Sequence, residues 1–360
     1  MAQPRALRRR ARVAIVALLV LIVWTTKPER GLRLRRDRAD RVAHLDPELK
    51  RAWDDDARAE PLPPRCEREL AGALPLDRLE GTLARSRLYG VMASGVAERG
   101  LTAFDPAHAN DAQTQGLSLS SLFTFDPTTG EASPVLRRLD VPVRAVVFPV
   151  PPRSAAARSI HRETRRVLSR EFPPTGGALN AGDSVWYQDP NAYHFSAFHA
   201  SHHLDEHAAS TKEATAESSA IRSVARASCP IEAVIERVVV SPSGVVMALW
   251  NVAGGAEPRA FRDALRIALP RAPAKQIVAD GDIMHTTVAR LLRAPPGTGG
   301  EGGDHGTAAA KRAAAALTEA LCGVRMTIPA AWFVHEMHAL ALALGGSYDP
   351  EVMRFECRGS

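Results

Sequence analysis

Two short stretches decide how this chain is read: YHFSAFHASHH at residues 193–203 and DIMHTTVARLL at residues 282–292. Each alternates in the manner of a β-strand, where side chains two apart share a face. That period puts His194, Ser196 and Phe198 on one face of the first strand, and His285, Thr287 and Ala289 on one face of the second. Each strand therefore presents an imidazole with a hydroxyl beside it. The two histidines lie 91 residues apart, about the length of one structural lobe.

The elements around these strands repeat in a similar order. Val141–Val150 reads as a buried strand, followed by a helix over Ala155–Phe172 that Pro173 and Pro174 stop. After the first histidine motif, Leu204–Ser228 suits a helix. Ile231–Val240, the turn Ser241-Pro242-Ser243-Gly244 and Val245–Val252 then read as a β-hairpin. Phe261, Ala264, Leu265, Ala268 and Leu269 recur at helical spacing after Pro258, and Pro270 ends that helix. Following the second motif come a Gly-rich loop (294–306), a helix over Thr307–Leu321, and late strands in Trp332–Leu344 and Val352–Cys357. The expected class is α+β: two pseudo-symmetric lobes of antiparallel sheet with helices outside, each lobe carrying one histidine strand.

Towards the N-terminus, LYGVMASG, LTAFDP and LFTFDP read as short strands, so the folded domain is expected to span residues 86–360. Residues 41–85 are charged and proline-rich, as in a stem. Residues 1–40 hold an apolar run, Val13–Trp24, between Arg-rich flanks. Twelve apolar residues are fewer than the roughly 20 that span a bilayer comfortably and match the core of a signal sequence. No small-residue cleavage pattern follows, so the expectation is an uncleaved signal anchor and a single-pass protein of the secretory pathway; the rival is an organellar transit peptide. The chain has 360 residues and a formal charge of +6, but the basic excess clusters in that same segment. The pI thus says little about nucleic-acid binding by the folded body. Four cysteines, Cys66, Cys229, Cys322 and Cys357, are too few for a disulfide scaffold and lack CxxC spacing, and if they pair, three connectivities are open.

Cleaving a phosphodiester in line requires a base on the attacking oxygen and an acid on the leaving oxygen. Two imidazoles can supply both near neutrality. Hydroxyls at Ser196 and Thr287 can donate to nonbridging phosphate oxygens, where charge gathers in the transition state. This chemistry needs no metal or cofactor. The paired H-x-S and H-x-T, with YHFSAFHASHH, DIMHTTVARLL, ALPRAPAKQ and WFVHEMHALALAL, resemble the 2H phosphoesterase superfamily, in particular the plant-type branch of the LigT-like RNA ligase and cyclic nucleotide phosphodiesterase proteins. The resemblance covers roughly residues 88–357. It implies a bilobal fold with His194 and His285 as the acid–base pair, Ser196 and Thr287 as phosphate ligands, and a 2′,3′-cyclic phosphate or related cyclic phosphodiester of a nucleotide or RNA end as substrate. Ser196 departs from the more frequent threonine and keeps its hydroxyl.

Candidate substrate contacts near the motifs are Tyr193, Phe195, Phe198 and Trp250 for stacking, and Lys275 and Arg290 for phosphate charge. His199-Ala200-Ser201 is a second H-x-S, and His203 and His207 stand four apart. With no carboxylate or cysteine at ligand spacing, a His-rich loop explains that run as well as zinc does. His335-Glu336-Met337-His338 is not a zincin signature, because residue 339 is alanine. The competing function is a membrane-tethered module of the same fold that binds a nucleotide or RNA without turnover. A monomeric domain is expected in either case.

Overall fold

The computed structural model describes residues 61–104, 116–174, 183–278, 280–295 and 302–358. By contacts the chain divides into residues 1–55 and 56–360, and everything described belongs to the second unit. The expected anchor, and the stem up to residue 60, lie outside the described residues. Among those that are described, no helix is long and apolar enough to cross a membrane.

The chain enters through α1 (Pro64–Ala73) and α2 (Leu79–Arg99), then a short α3 (Leu119–Leu122) and the ribbon β1 (Phe123–Phe125) and β2 (Ala132–Pro134). There follow β3 (Arg138–Pro149), α4 (Ala155–Glu171), β4 (Val185–Tyr187), β5 (His194–Ser201) and α5 (Thr211–Ala227). The hairpin β6 (Ile231–Val240) and β7 (Val245–Gly254) leads to α6 (Pro258–Ala268), β8 (His285–Leu291) and α7 (Gly302–Leu321). The chain ends with β9 (Arg325–Ile328), β10 (Ala330–His338), α8 (Ala341–Leu344) and β11 (Tyr348–Arg354).

These strands form two larger antiparallel sheets, β11-β10-β3-β5 and β4-β8-β7-β6-β9, each with one histidine strand. One apolar core joins them on one side. It takes Val146, Phe148 and Phe195 from the first sheet, Val246, Ala248 and Trp250 from the second, and Ile160, Ile221, Leu265 and Leu317 from α4, α5, α6 and α7. The helices form because their apolar positions recur at helical spacing and their ends are capped. Ser154 accepts from the Ala157 amide, and Ser210 forms a capping box with Glu213.

Three expectations change at the N-terminal side. Leu88–Gly95 is helical, not a strand, LTAFDP holds a 3-10 turn at Thr102–Phe104, and the boundary expected at residue 86 falls inside α2. This helix packs on the other face of the second sheet, where Tyr89 meets Val239 and Leu249 with Leu88, Met92 and Met247 around them. Not every helix therefore lies outside. Polar contacts hold α2 in place: buried Arg85 donates to Asn251 and Glu257, and Ser86 donates to Glu236. A disulfide joins Cys66 of α1 to Cys322, and a second joins Cys229 to Cys357. Two disulfides mark a chain that matures in an oxidising compartment, as extracellular and secretory-pathway proteins do. The loop expected over 294–306 is described only in part, and its last residues begin α7.

Candidate active site

The two histidine strands share one burial rhythm. Along β5, His194 and Ser196 are half-buried while Phe195 is fully buried; along β8, His285 and Thr287 are half-buried around a buried Thr286. Strands β5 and β8 come into contact with each other. The half-buried face in each case is the one turned away from the common apolar core. On that face Val147 and Pro149 stand opposite Ser196 and His194, and Met247 and Leu249 opposite Thr287 and His285.

Simple alternation fails after the second motif position. The β3–β5 register shifts at Ala197, so Phe198 pairs with Val146 and His199 with Ala145. A bulge of one residue reverses the faces beyond it. Phe198 consequently turns into the core, where Arg266 stacks over its ring at 4.7 Å, and His199 joins the face of His194 and Ser196. The expectation that Phe198 shares the histidine face is corrected by this bulge.

His194 and His285 differ in environment. Nδ1 of His194 lies 2.8 Å from the Ala192 carbonyl, which can only accept, so Nδ1 carries a proton and Nε2 holds the reactive position. Burial lowers the basicity of both rings. His285 falls to about 4, through burial, then the Arg262 guanidinium, then the charge His194 takes up. His194 is partly compensated by its carbonyl partner.

Arg262 carried no motif in the sequence, and the structure gives it a central place. From α6 its guanidinium donates to the carbonyls of Ser196 (3.0 Å) and Ala197 (3.1 Å) in β5, and of Gly281 (2.5 Å) and Ile283 (2.9 Å) before β8. One buried cation therefore ties both histidine strands together. Burial lowers its pKa to about 10, which leaves it protonated at neutral pH. The only advance signal was an arginine on the apolar face of a strongly amphipathic helix. Tyr89 of α2 fixes the same region: its hydroxyl donates to the Trp250 carbonyl (2.7 Å) and accepts from the Met284 amide (3.0 Å), one residue before His285.

The expected stacking residues do not stack on anything from solvent. Tyr193, Phe195 and Trp250 have no exposed surface, and Phe195 meets Trp250 edge-on at 5.5 Å within the core. Their hydrophobic area was decisive, and stacking on a substrate is corrected to core packing. Trp250 also donates to Thr286. Lys275 is exposed and its carbonyl meets His202 Nε2 at 3.1 Å, at the edge of the histidine-rich segment. Arg290 is buried on β8. No cluster of three or more metal-ligating side chains occurs among the described residues. His335 and Glu336 are neighbours on β10 and point to opposite faces. Two cavities lie away from His194 and His285, one of about 340 Å³ at His335, Asp349 and Glu351, the other of about 80 Å³ between Pro61–Pro63, α2, β6 and α7.

No family model matches the chain. No curated protein matches it either. Among solved structures it is similar to the protein TT0787 of Thermus thermophilus, at 15% identity and a TM-score of 0.38, over 60% of this chain and 99% of that one.

Proposed function

We propose that this protein is a metal-independent phosphoesterase of the 2H type that opens a 2′,3′-cyclic phosphate or related cyclic phosphodiester on a nucleotide or RNA end. The observation that carries the reading is the matched pair of strands, each setting an imidazole and a hydroxyl on the half-buried face away from the core. In this reading one of the two imidazoles is neutral and takes the proton from attacking water. The other is protonated and gives its proton to the leaving oxygen. Ser196 and Thr287 donate to the nonbridging oxygens. Arg262 acts through the strands it holds and through its charge beside His285.

The test is incubation of the purified full chain with 2′,3′-cyclic nucleotides in the presence of a chelator. Turnover is expected, with His194→Ala and His285→Ala each reducing it by ~10²-fold or more. Their combination is expected to be little worse than the poorer single variant, since groups acting as a unit are not additive. Tight nucleotide binding without turnover would replace the enzyme with a binding module. The proposed location is a membrane of the secretory pathway, with Val13–Trp24 as the anchor, consistent with the two disulfides.

A further inference from the structure

Helix α4 packs on the common core through Ala156, Ala157, Ile160, Val167 and Leu168. Its other side carries arginine at every fourth position: Arg158, Arg162, Arg166 and Arg170. Residues four apart are neighbours on a helix, and each step advances about 6 Å along the axis. The four therefore form one row of cations. All are exposed, the side chains of Arg162, Arg166 and Arg170 by 67%, 54% and 59%. Two more guanidiniums flank the row, Arg165 on α4 and Arg312 on α7.

Two carboxylates serve four of these arginines. Glu163 pairs with Arg162 at 2.9 Å and Arg166 at 2.7 Å, and Glu171 pairs with Arg170 at 2.9 Å and Arg312 at 2.8 Å. Each carboxylate is shared by two guanidiniums, so each group of three keeps a net positive charge. Arg158 donates to the Arg153 carbonyl, and Arg165 lies over the Tyr187 ring at 4.6 Å; neither contact cancels a charge. Like charges four apart destabilise a helix, and solvated faces ordinarily intersperse both signs. Stability therefore does not account for the row, whereas an anionic partner does. The row also starts beside the histidine face. Pro149 stands opposite His194, the Val150 amide donates to the Tyr193 carbonyl at 2.9 Å, and the turn from Pro151 to Ser154 leads straight into α4. The N-terminal half of α4 stays there: His161 feels the charge of Asp189, which caps the turn Pro190–Ala192 that holds Nδ1 of His194.

Resting on the function proposed above for where the strand ends, we propose that the arginine row of α4 is a separate surface that binds the phosphate backbone of single-stranded RNA. A 2′,3′-cyclic phosphate closes the 3′ end of an RNA, so every further phosphate lies upstream of the reacting group. The row offers those phosphates a cation at each step, beginning at Arg158 and leading away to Arg170. A line of cations fits a linear polyanion better than one isolated anion, and guanidiniums match phosphate oxygens in geometry as well as in charge. Backbone contacts carry no base information, so this binding is indifferent to sequence. RNA is favoured over other polyanions because the row begins beside the reacting face.

The test is fluorescence anisotropy of the full chain at pH 7 with a labelled oligouridylate that ends in an ordinary 3′-hydroxyl. That probe has no reacting group, so its binding is independent of turnover. Arg158→Gln, Arg162→Gln and Arg166→Gln combined are expected to weaken it by tenfold or more at low salt, over whatever the basic residues 1–40 add to both proteins. The slope of log affinity against log salt is expected to flatten by about 2, since each phosphate neutralised on a single strand contributes about 0.7. As a check that needs no variant, photocross-linking of a thiouridine oligomer to the unaltered protein is expected to label peptides within residues 155–171. Unchanged affinity and slope in the triple variant, or cross-links that avoid α4, would overturn the inference and leave the proposed function standing. Phosphatidylserine vesicles that bind through the same arginines more tightly than the RNA would also overturn it, making the row a membrane contact. Cyclic nucleotides left unturned while the arginine-dependent RNA binding persists would overturn the proposed function alone.

Discussion

Replacing Arg262 tests whether the site is held from outside. Its guanidinium makes four hydrogen bonds to carbonyls of the two histidine strands, all inside the protein. Charge-assisted bonds contribute about 1.5–3 kcal/mol each, but they do not add fully when one side chain makes them all. Arg262→Met leaves four carbonyls without this partner and is expected to cost about 4–6 kcal/mol, a large part of a domain's stability. Arg262→Lys keeps the charge without the fork and is expected to cost about 2 kcal/mol. The two variants separate position from electrostatics. Lysine keeps a cation near His285, so the His285 titration should stay near wild type while kcat/KM falls by ~10–100-fold, because a displacement of about 1 Å at reacting groups has that effect. Methionine removes a cause of the low His285 pKa, so that pKa should rise. Denaturant unfolding, histidine proton NMR against pH and steady-state kinetics on a cyclic nucleotide measure all three. Full activity in Arg262→Lys, or an unmoved His285 titration in a folded Arg262→Met, would refute the reasoning.

The remaining predictions concern pH, stability and location. Both imidazoles titrate below the ordinary histidine range in the free protein, and a bound anionic phosphate favours their charged forms. The alkaline limb of kcat/KM is therefore expected below pH ~6.5, and that of kcat at higher pH; coincident limbs above pH 7 would contradict the acid–base assignment. Burial raises the Glu336 carboxyl to about 7, while its Oε1 accepts from the Leu342 amide. A raised carboxyl contributes stability below the unfolded pKa that is lost as pH rises through the folded one, so Glu336→Gln should match wild type at pH 4 and exceed it by about 3 kcal/mol at pH 8 in urea unfolding. The Cys66–Cys322 bond spans 256 residues, and loop-closure entropy assigns it about 5 kcal/mol; replacing both cysteines with serine should lower the unfolding midpoint accordingly, and an unchanged midpoint would mean the bond is dispensable. Finally, the full chain should sediment with membranes and a chain lacking residues 1–40 should not; a soluble full chain with its N-terminus intact would remove the anchor.

Much of the architecture was legible because it depends on local patterns. The β6–β7 hairpin followed from two apolar runs around Ser241-Pro242-Ser243-Gly244, and α6 from Pro258 and a helical stripe; both lie where the sequence put them. The pairing of His194 with Ser196 and of His285 with Thr287 needed only the strand period. Tertiary structure decided the rest. Whether a strand bulges depends on its partner's register, and that moved Phe198 inward and brought His199 and Arg290 to the histidine faces. Composition could not tell the aromatic rings of Tyr193, Phe195 and Trp250 from ligand platforms, because the same apolar area serves either, and only the packing of two sheets showed them to be core. The LYGVMASG segment is apolar enough for strand or helix, and contact with Val239 and Leu249 selected the helix. Arg262 reads in sequence as one arginine among many; its role exists only where chain segments 66 and 21 residues away bring four carbonyls to its guanidinium.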